Sequence, residues 1–104
     1  MTQVTAWLVD NKTKKICISG HSGYAESGYD IVCSAVSTAV MLAGSILEEV
    51  CPDYIINTDE DNAVINIEIN ILNETANIVM KNLYLTLCEI SSQYPKYLKV
   101  KINK

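Results

Sequence analysis

The sequence predicts an α+β fold, a single domain over residues 1–104 in which two helices pack against one mixed β-sheet. Three observations lead to this class. The 104 residues suffice for one hydrophobic core but not two. Two long segments repeat apolar residues at three- and four-residue intervals, which is typical of helices with one buried face. Shorter segments rich in Val, Ile, Thr and Trp indicate strands. The expected order is β-β-α-β-β-α-β.

The N-terminal part of the chain predicts a hairpin followed by a long loop. Residues 2–9 and 15–19 are expected to be strands, joined by the polar turn at residues 10–12. Three of the four glycines then fall within residues 20–30, and this composition favours an adaptable loop.

A first helix is expected over residues 31–50, with Asp30 as its N-cap and Pro52 as its stop. The apolar stripe that predicts its buried face comprises Val32, Val36, Ala39, Ala43, Ile46, Leu47 and Val50.

The second half of the chain repeats the pattern of two strands and a helix. Strands are expected at 54–58 and 63–71 around the acidic turn 59–62, and the isoleucines of the second strand alternate with polar residues. A helix over 74–94 should be capped by Asn73 and ended by Pro95. The final strand is expected at 97–102. Side chains expected to face the core are Ala76, Val79, Met80, Leu83, Leu87 and Ile90 on the helix, and Leu98, Val100 and Ile102 on the last strand.

Composition narrows the functional classes. The net charge of −4 argues against a nucleic-acid-binding protein, because such proteins cluster Lys and Arg to neutralise phosphates. A basic partner suits this charge better. The N-terminus lacks a basic segment followed by an apolar run, and no segment has the roughly 18 uninterrupted apolar residues of a spanning helix. We therefore expect a cytoplasmic protein without membrane contact, whose cysteines are free thiols.

Thiol chemistry is the reaction type that these residues suggest, and it would depend on His21, the sole histidine. Cys17 falls within a strand and Cys88 within a helix, while Cys51 falls at a helix C-terminus, where the dipole disfavours a thiolate. Cys33 alone is expected in the first turn of a helix. No metal or cofactor is expected, because Cys17 and His21 lack the second closely spaced ligand pair of a zinc site.

The predicted catalytic pair is Cys33 with His21 as general base. A helix terminus contributes about 0.3–1 kcal/mol, which is too little to ionise a thiol at neutral pH by itself, so a second positive group is needed. The glycine-rich loop would let the chain fold back and bring the imidazole to the sulfur. The imidazolium would then give its proton to the leaving amine.

Two further residues are expected to support this pair. Asp30 should cap the helix and could also orient His21. Ser37 lies one turn after Cys33, where its hydroxyl could line the site. The backbone N–H of Cys33 is a candidate oxyanion-hole donor.

The residues Gly-His-Ser-Gly-Tyr-Ala at 20–25, Gly28, and Asp-Ile-Val-Cys-Ser-Ala-Val-Ser at 30–37 resemble the motif of the ribosomal-processing cysteine protease family Prp. This resemblance implies His21 and Cys33 as the catalytic dyad, Asp30 and Ser37 as supporting residues, and a homodimer. It also implies a mobile loop that orders over substrate, here containing Gly20, Ser22, Gly23, Tyr24, Gly28 and Tyr29.

The resemblance also implies a substrate, the short N-terminal extension of a large-subunit ribosomal protein, cut just after a pair of aromatic residues. A basic ribosomal protein agrees with the acidic charge of this chain, and Tyr24 and Tyr29 offer flat apolar surface for aromatic side chains.

Two other functions use the same residues. One is a non-catalytic ribosome-assembly or protein-binding module whose thiol is incidental, since free cysteine is commonly a small buried residue. The other is a different thiol hydrolase or acyl-transfer enzyme with the same dyad. Residues 23–28 match the glycine spacing of a phosphate-binding loop. The sequence nevertheless excludes this motif, because Tyr29 and Asp30 occupy the positions where Lys and Ser or Thr are required.

Overall fold

Seven elements follow in the expected order, so the predicted α+β class is confirmed. The structure is a computed structural model, and it describes residues 2–20, 27–51, 53–59, 61–69 and 73–103, without the side chains of 27–30. The elements are β1 (Thr2–Val9), β2 (Lys12–Ser19), α1 (Ser27–Val50), β3 (Tyr54–Asp59), β4 (Val64–Ile69), α2 (Glu74–Gln93) and β5 (Leu98–Asn103).

The strands form one mixed sheet in the order β3-β4-β2-β1-β5. All neighbours are antiparallel except β1 and β5, which run parallel. The turn between β1 and β2 contains only Asp10 and Asn11, both with positive φ (53° and 64°). Two left-handed residues make the tight hairpin turn whose twist matches its strands. The strand β2 therefore starts at Lys12, three residues before the predicted start.

The helices cover one face of the sheet. Val4 pairs with Ile18, and Ala6 with Ile16, which pairs in turn with Ile67. Because paired residues point to the same face of a sheet, these five buried side chains form one apolar layer. The helices α1 and α2 pack on that layer and on each other.

The helix α1 begins at Ser27, four residues before the predicted start. Asp30 therefore lies inside the helix, and its predicted N-cap role is wrong. Aspartate is favourable both as an N-cap and in the first turn, because each position is near the positive end of the dipole. The presence of Asp30 therefore does not distinguish an N-cap from a first-turn position. The predicted stripe is mostly buried, although Ile46 is partly exposed.

The helix α2 confirms its predicted cap. The Asn73 side-chain oxygen accepts a hydrogen bond from the N–H of Ala76 at 3.1 Å. The Asn73 amide nitrogen donates to the carbonyl of Val50 at 2.9 Å, so one side chain joins the start of α2 to the end of α1.

Two strand predictions need correction. Ala63 lies in the turn before β4 with a φ of 53°, instead of starting the strand, and residues 70 and 71 lie outside the described part. Leu98 is buried as predicted, but Ile102, near the end of the edge strand β5, is 49% exposed.

By length and composition, residues 31–50 of α1 could cross a membrane. In the structure, however, Val32, Val36, Val40 and Leu47 of this segment are buried against the sheet and α2. These side chains belong to the hydrophobic core, as expected for a long helix that packs inside a domain.

Candidate active site

A cavity of about 280 Å³ lies at one end of the sheet, between the strands and the first turns of α1. It collects residues that are far apart in the sequence. Its lining comprises Thr2, Ile18, Gly20, Cys33, Val36, Ser37, Thr58, Asp59, Ala63, Val64 and Ile65. The lining is mainly apolar, and it also includes one cysteine, three residues with hydroxyl groups and Asp59.

Strand pairing brings these residues together. The end of β2 lies beside the start of β4, where Ile18 pairs with Ile65. Beyond β2, the N–H of Gly20 donates to the carbonyl of Ala63 at 3.1 Å. A Cβ atom at Gly20 would lie 2.7 Å from Thr2 Oγ1 and 3.1 Å from Thr2 Cα. Only glycine fits this close approach without displacing β1.

Cys33 and Ser37 line the cavity together, one helical turn apart on the same side of α1. The Cys33 side chain is half-buried. Because α1 begins at Ser27, Cys33 is the seventh residue of the helix and not one of its first turn. The dipole effect fades within the first turn, so it supports a thiolate less than predicted.

The predicted oxyanion role of the Cys33 N–H is also wrong. At the seventh position of an α-helix the N–H points to the carbonyl four residues earlier, inside the helix. Any oxyanion donor must therefore come from another group.

The predicted loop residues are only partly covered by the structure. Gly20 lies in the cavity wall. Gly28, Tyr29 and Asp30 lie in the first turn of α1. His21, Ser22, Gly23 and Tyr24 lie outside the described residues, so the distance between His21 and Cys33 stays a prediction.

Asp59 is a lining residue that sequence reasoning missed, having been assigned only to an acidic turn. Its carboxylate accepts hydrogen bonds from the Asn62 side-chain amide at 2.7 Å and from the Asn62 backbone N–H at 3.2 Å. These bonds, with one from the N–H of Asp61, lower the pKa of Asp59 below its ordinary value. Asp59 is therefore a fully ionised carboxylate at neutral pH.

Cys17, Cys51 and Cys88 do not line this cavity. Cys51 is buried after α1, while Cys17 and Cys88 are half-buried. Cys88 lies beside Tyr84, where burial and a hydrogen bond to Cys88 raise the pKa of the tyrosine hydroxyl. Among the described residues, no group of three His, Cys, Asp or Glu is placed to hold a metal ion.

A partly exposed thiol in the wall of an apolar cavity suits a thiol-dependent enzyme. Comparison with known proteins identifies the class. The model of the family described as cysteine protease Prp matches residues 1–99. The chain belongs to this family of cysteine proteases.

Solved structures share the fold. SMU.848 from Streptococcus mutans superimposes with a TM-score of 0.86 at 25% identity, over 98% of this chain and 93% of its own. The ribosomal processing protease Prp from S. aureus, in complex with a covalently linked product peptide, gives 0.87 at 21% identity over 99% and 100%. Its complex with a substrate peptide gives 0.88 at 19% identity over the same shares. No curated protein matches the chain significantly.

Proposed function

We propose that this chain is a Cys-His endopeptidase that removes the short N-terminal extension of a large-subunit ribosomal protein, cutting just after a pair of aromatic residues. Cys33 is the nucleophile and His21 the general base. Asp30 and Ser37 support them, and the loop containing Ser22, Gly23 and Tyr24 closes over the peptide next to Gly28 and Tyr29, which begin α1.

One observation carries the proposal: of the four thiols, Cys33 is the one in the wall of the cavity at the end of the sheet. The cavity lining includes the apolar residues Val36, Val64 and Ile65. An aromatic side chain of the substrate can pack against this apolar surface. The covalent product complex of the S. aureus relative fits the same chemistry.

The proposed reaction has two steps. The Cys33 sulfur attacks the carbonyl carbon of the peptide bond, the C–N bond breaks, and the His21 imidazolium protonates the departing amine. A water molecule, deprotonated by His21, then attacks the thioester. This releases the carboxylate and restores the thiol. Because Cys33 lies beyond the first helical turn, His21 supplies most of the positive potential that the thiolate needs.

The same proposal places the enzyme in the cytoplasm, without nucleic-acid or membrane contact, as a homodimer. Its net charge of −4 complements a basic ribosomal protein. Outward-facing apolar side chains of α1 and α2 support the dimer. They are Met41, Leu42, Ile46, Ile78 and Leu85.

Peptide cleavage tests the activity directly. A peptide carrying two adjacent phenylalanines should be cut after the second by the wild type, with cleavage lost in Cys33→Ala and in His21→Ala. Cys17→Ala is the matched control, because Cys17 is also half-buried but does not line the cavity that contains Cys33. No cleavage by the wild type would refute the protease.

Alkylation separates the enzyme from a binding module with an incidental thiol. Cys17, Cys33 and Cys88 are similarly half-buried, so differences in their labelling rates report reactivity more than exposure. Cys33 should react fastest and lose this advantage in His21→Ala. Equal rates at these three thiols would favour the binding module. A different thiol hydrolase would pass this test and fail the peptide test.

A further inference from the structure

The strand β3 forms one edge of the sheet, and this edge leads to the cavity that contains Cys33. In the order β3-β4-β2-β1-β5, β3 has a neighbour only on its β4 side among the described strands. Thr58, near the end of β3, belongs to the cavity lining. An edge strand has a row of backbone N–H and C=O groups that no neighbouring strand uses. The proposed reaction leaves these groups without a role.

We propose that the free edge of β3 binds the peptide substrate as an additional strand and leads it to Cys33. The proposal rests on the proposed function, because it describes how the substrate of that site binds. Addition of a strand to a sheet edge is a general way in which proteins hold extended peptides through main-chain hydrogen bonds. Pairing with β3 supplies affinity, and the cavity places the bond at the thiol.

The helix α1 follows the edge strand towards the cavity. Ile56 pairs with the buried Ile67, so Ile56 and Thr58 point to the face of the sheet that the helices cover. Gly44 of α1 lies close to Ile56, because an added Cβ would be 2.7 Å from the Ile56 Cδ1 atom. Two residues further along β3, Thr58 lines the cavity with Cys33. A peptide on this edge therefore reaches the thiol at the end of the strand.

The two edge strands of the sheet differ in how well they resist pairing. The strand β5 contains Lys99 and Lys101, and charged side chains, lysine above all, discourage the addition of a strand. The strand β3 contains neither lysine nor proline, and its one charged residue is the last, Asp59. Its register with β4 runs without a bulge. The edge of β3 therefore lacks the features that protect an edge from pairing.

Apolar side chains flank this edge on both faces of the sheet. Ile55 is 40% exposed and Ile56 is 37% exposed, and neighbouring residues of a strand point to opposite faces. Consecutive side chains of an added strand do the same, so those on either face can pack beside an isoleucine. Aromatic and β-branched side chains are favourable neighbours across strands. The edge therefore suits an apolar peptide, as the cavity does.

A second copy of the chain is the other occupant that such an edge could take. Two β3 strands would then pair with each other, and the edge would be closed to a peptide. The position of the edge favours the peptide, because β3 leads into the cavity. The exposed apolar side chains of α1 and α2 offer a separate surface for a dimer.

Hydrogen exchange measures occupation of the edge residue by residue. The Cys33→Ala protein is followed by NMR with and without a peptide carrying two adjacent phenylalanines, so that binding is observed without turnover. Alternate amides of β3, which point away from β4, should exchange about tenfold more slowly when about nine-tenths of the protein is bound, because a paired amide exchanges from the unbound fraction. The amides of β5, the other edge, are the matched control and should not change.

Methylation of the peptide tests the same hydrogen bonds from the other partner. Backbone nitrogens are methylated one at a time, at four positions on either side of the bond after the phenylalanine pair. Affinity for Cys33→Ala should fall about three- to tenfold at every second position, as the loss of a hydrogen bond allows, and should change little at the positions between. Because β3 ends at the cavity, the alternating loss should be confined to one side of the bond.

Several results would overturn the proposal. They are no gain in protection along β3, an equal gain along β5, and a loss of affinity on methylation that does not alternate. Slow exchange of the outward β3 amides in the peptide-free protein, increasing with protein concentration, would also overturn it, because a second copy would then occupy the edge.

The outcome is separable from that of the proposed function. Wild-type protein that cuts the peptide while β3 stays unprotected would leave the protease intact and remove the role of the edge. Protection of β3 with alternating effects of methylation, but without cleavage by the wild type, would leave peptide binding at the edge and remove the protease.

Discussion

At the scale of single residues, the sequence indicates a role for Gly20 but not for Asp59. Gly20 belongs to a glycine-rich segment that contains His21, and this composition indicates a functional loop. Asp59 belongs to an acidic turn, which is ordinary solvent-facing sequence. Its place in the cavity arises because β3 and β4 pair with β2 at the end where α1 begins. That contact depends on long-range pairing, which local sequence patterns do not contain.

Gly20→Ala should destabilise the protein by about 1–3 kcal/mol, as expected for overpacking. The added Cβ would meet Thr2 Oγ1 at 2.7 Å and the Thr2 backbone at 3.1 Å, so either Thr2 or the Gly20–Ala63 hydrogen bond must move. Urea unfolding measures this change.

Gly44→Ala is the matched control for Gly20→Ala. Its Cβ would meet only the flexible end of Ile56, and alanine favours a helix interior by about 1 kcal/mol over glycine. The two effects oppose each other, and we expect little net change. Equal stability of Gly20→Ala and the wild type would show that the approach of Gly20 to Thr2 is not constrained.

The elements show where sequence patterns suffice. Helical periodicity predicted both helices and alternation predicted β4 and β5, because burial of one face imposes those periods, whereas residue composition and turn residues predicted the other three strands. Polar segments carry weaker signals for where an element begins. The start of α1 was missed by four residues because Ser27 and Gly28 have loop composition, although glycine in a first turn breaks no hydrogen bond within the helix. Because α1 begins earlier than predicted, Cys33 lies in the second turn and not in the first. The helix dipole therefore stabilises its thiolate less than expected.

Asn73→Ala should lower the free energy of unfolding by about 1–2 kcal/mol. The substitution removes the cap on Ala76, which is worth about 0.5–2 kcal/mol, together with the bond to the Val50 carbonyl. Thermal and urea unfolding measure the loss. Asn82→Ala is the control, because Asn82 bonds only Ile78 of its own helix on an exposed surface, and it should change stability by less than about 0.5 kcal/mol. Equal effects of both substitutions would contradict the role of Asn73 in joining α1 to α2.

At the scale of the whole molecule, both helices lie on one face of the sheet, and their outer surface is unusually apolar. Met41 is 73% exposed and Leu42 63%, while Ile78 and Leu85 on α2 are about half exposed. Leu42, Ile46 and Ile78 also line a cavity of about 260 Å³ between the two helices. The periodicity predicted Ile46 on the inner face of α1, but it gave no reason for the other outer residues, because they lie outside the predicted stripes.

We propose that the homodimer forms through this surface, since exposed apolar patches mark interaction sites. Light scattering should show a dimer for the wild type, and Leu42→Glu should convert it to a folded monomer by placing a charge in the interface. Val9→Glu is the matched control, because Val9 is also about half exposed but lies at the tip of the first hairpin. A monomeric wild type would refute the dimer, whereas a Leu42→Glu variant that stays dimeric would show that the interface lies on another surface.

Because α1 carries both Cys33 and Leu42, comparing peptide cleavage by this monomer and by the dimer would show whether catalysis depends on the second copy.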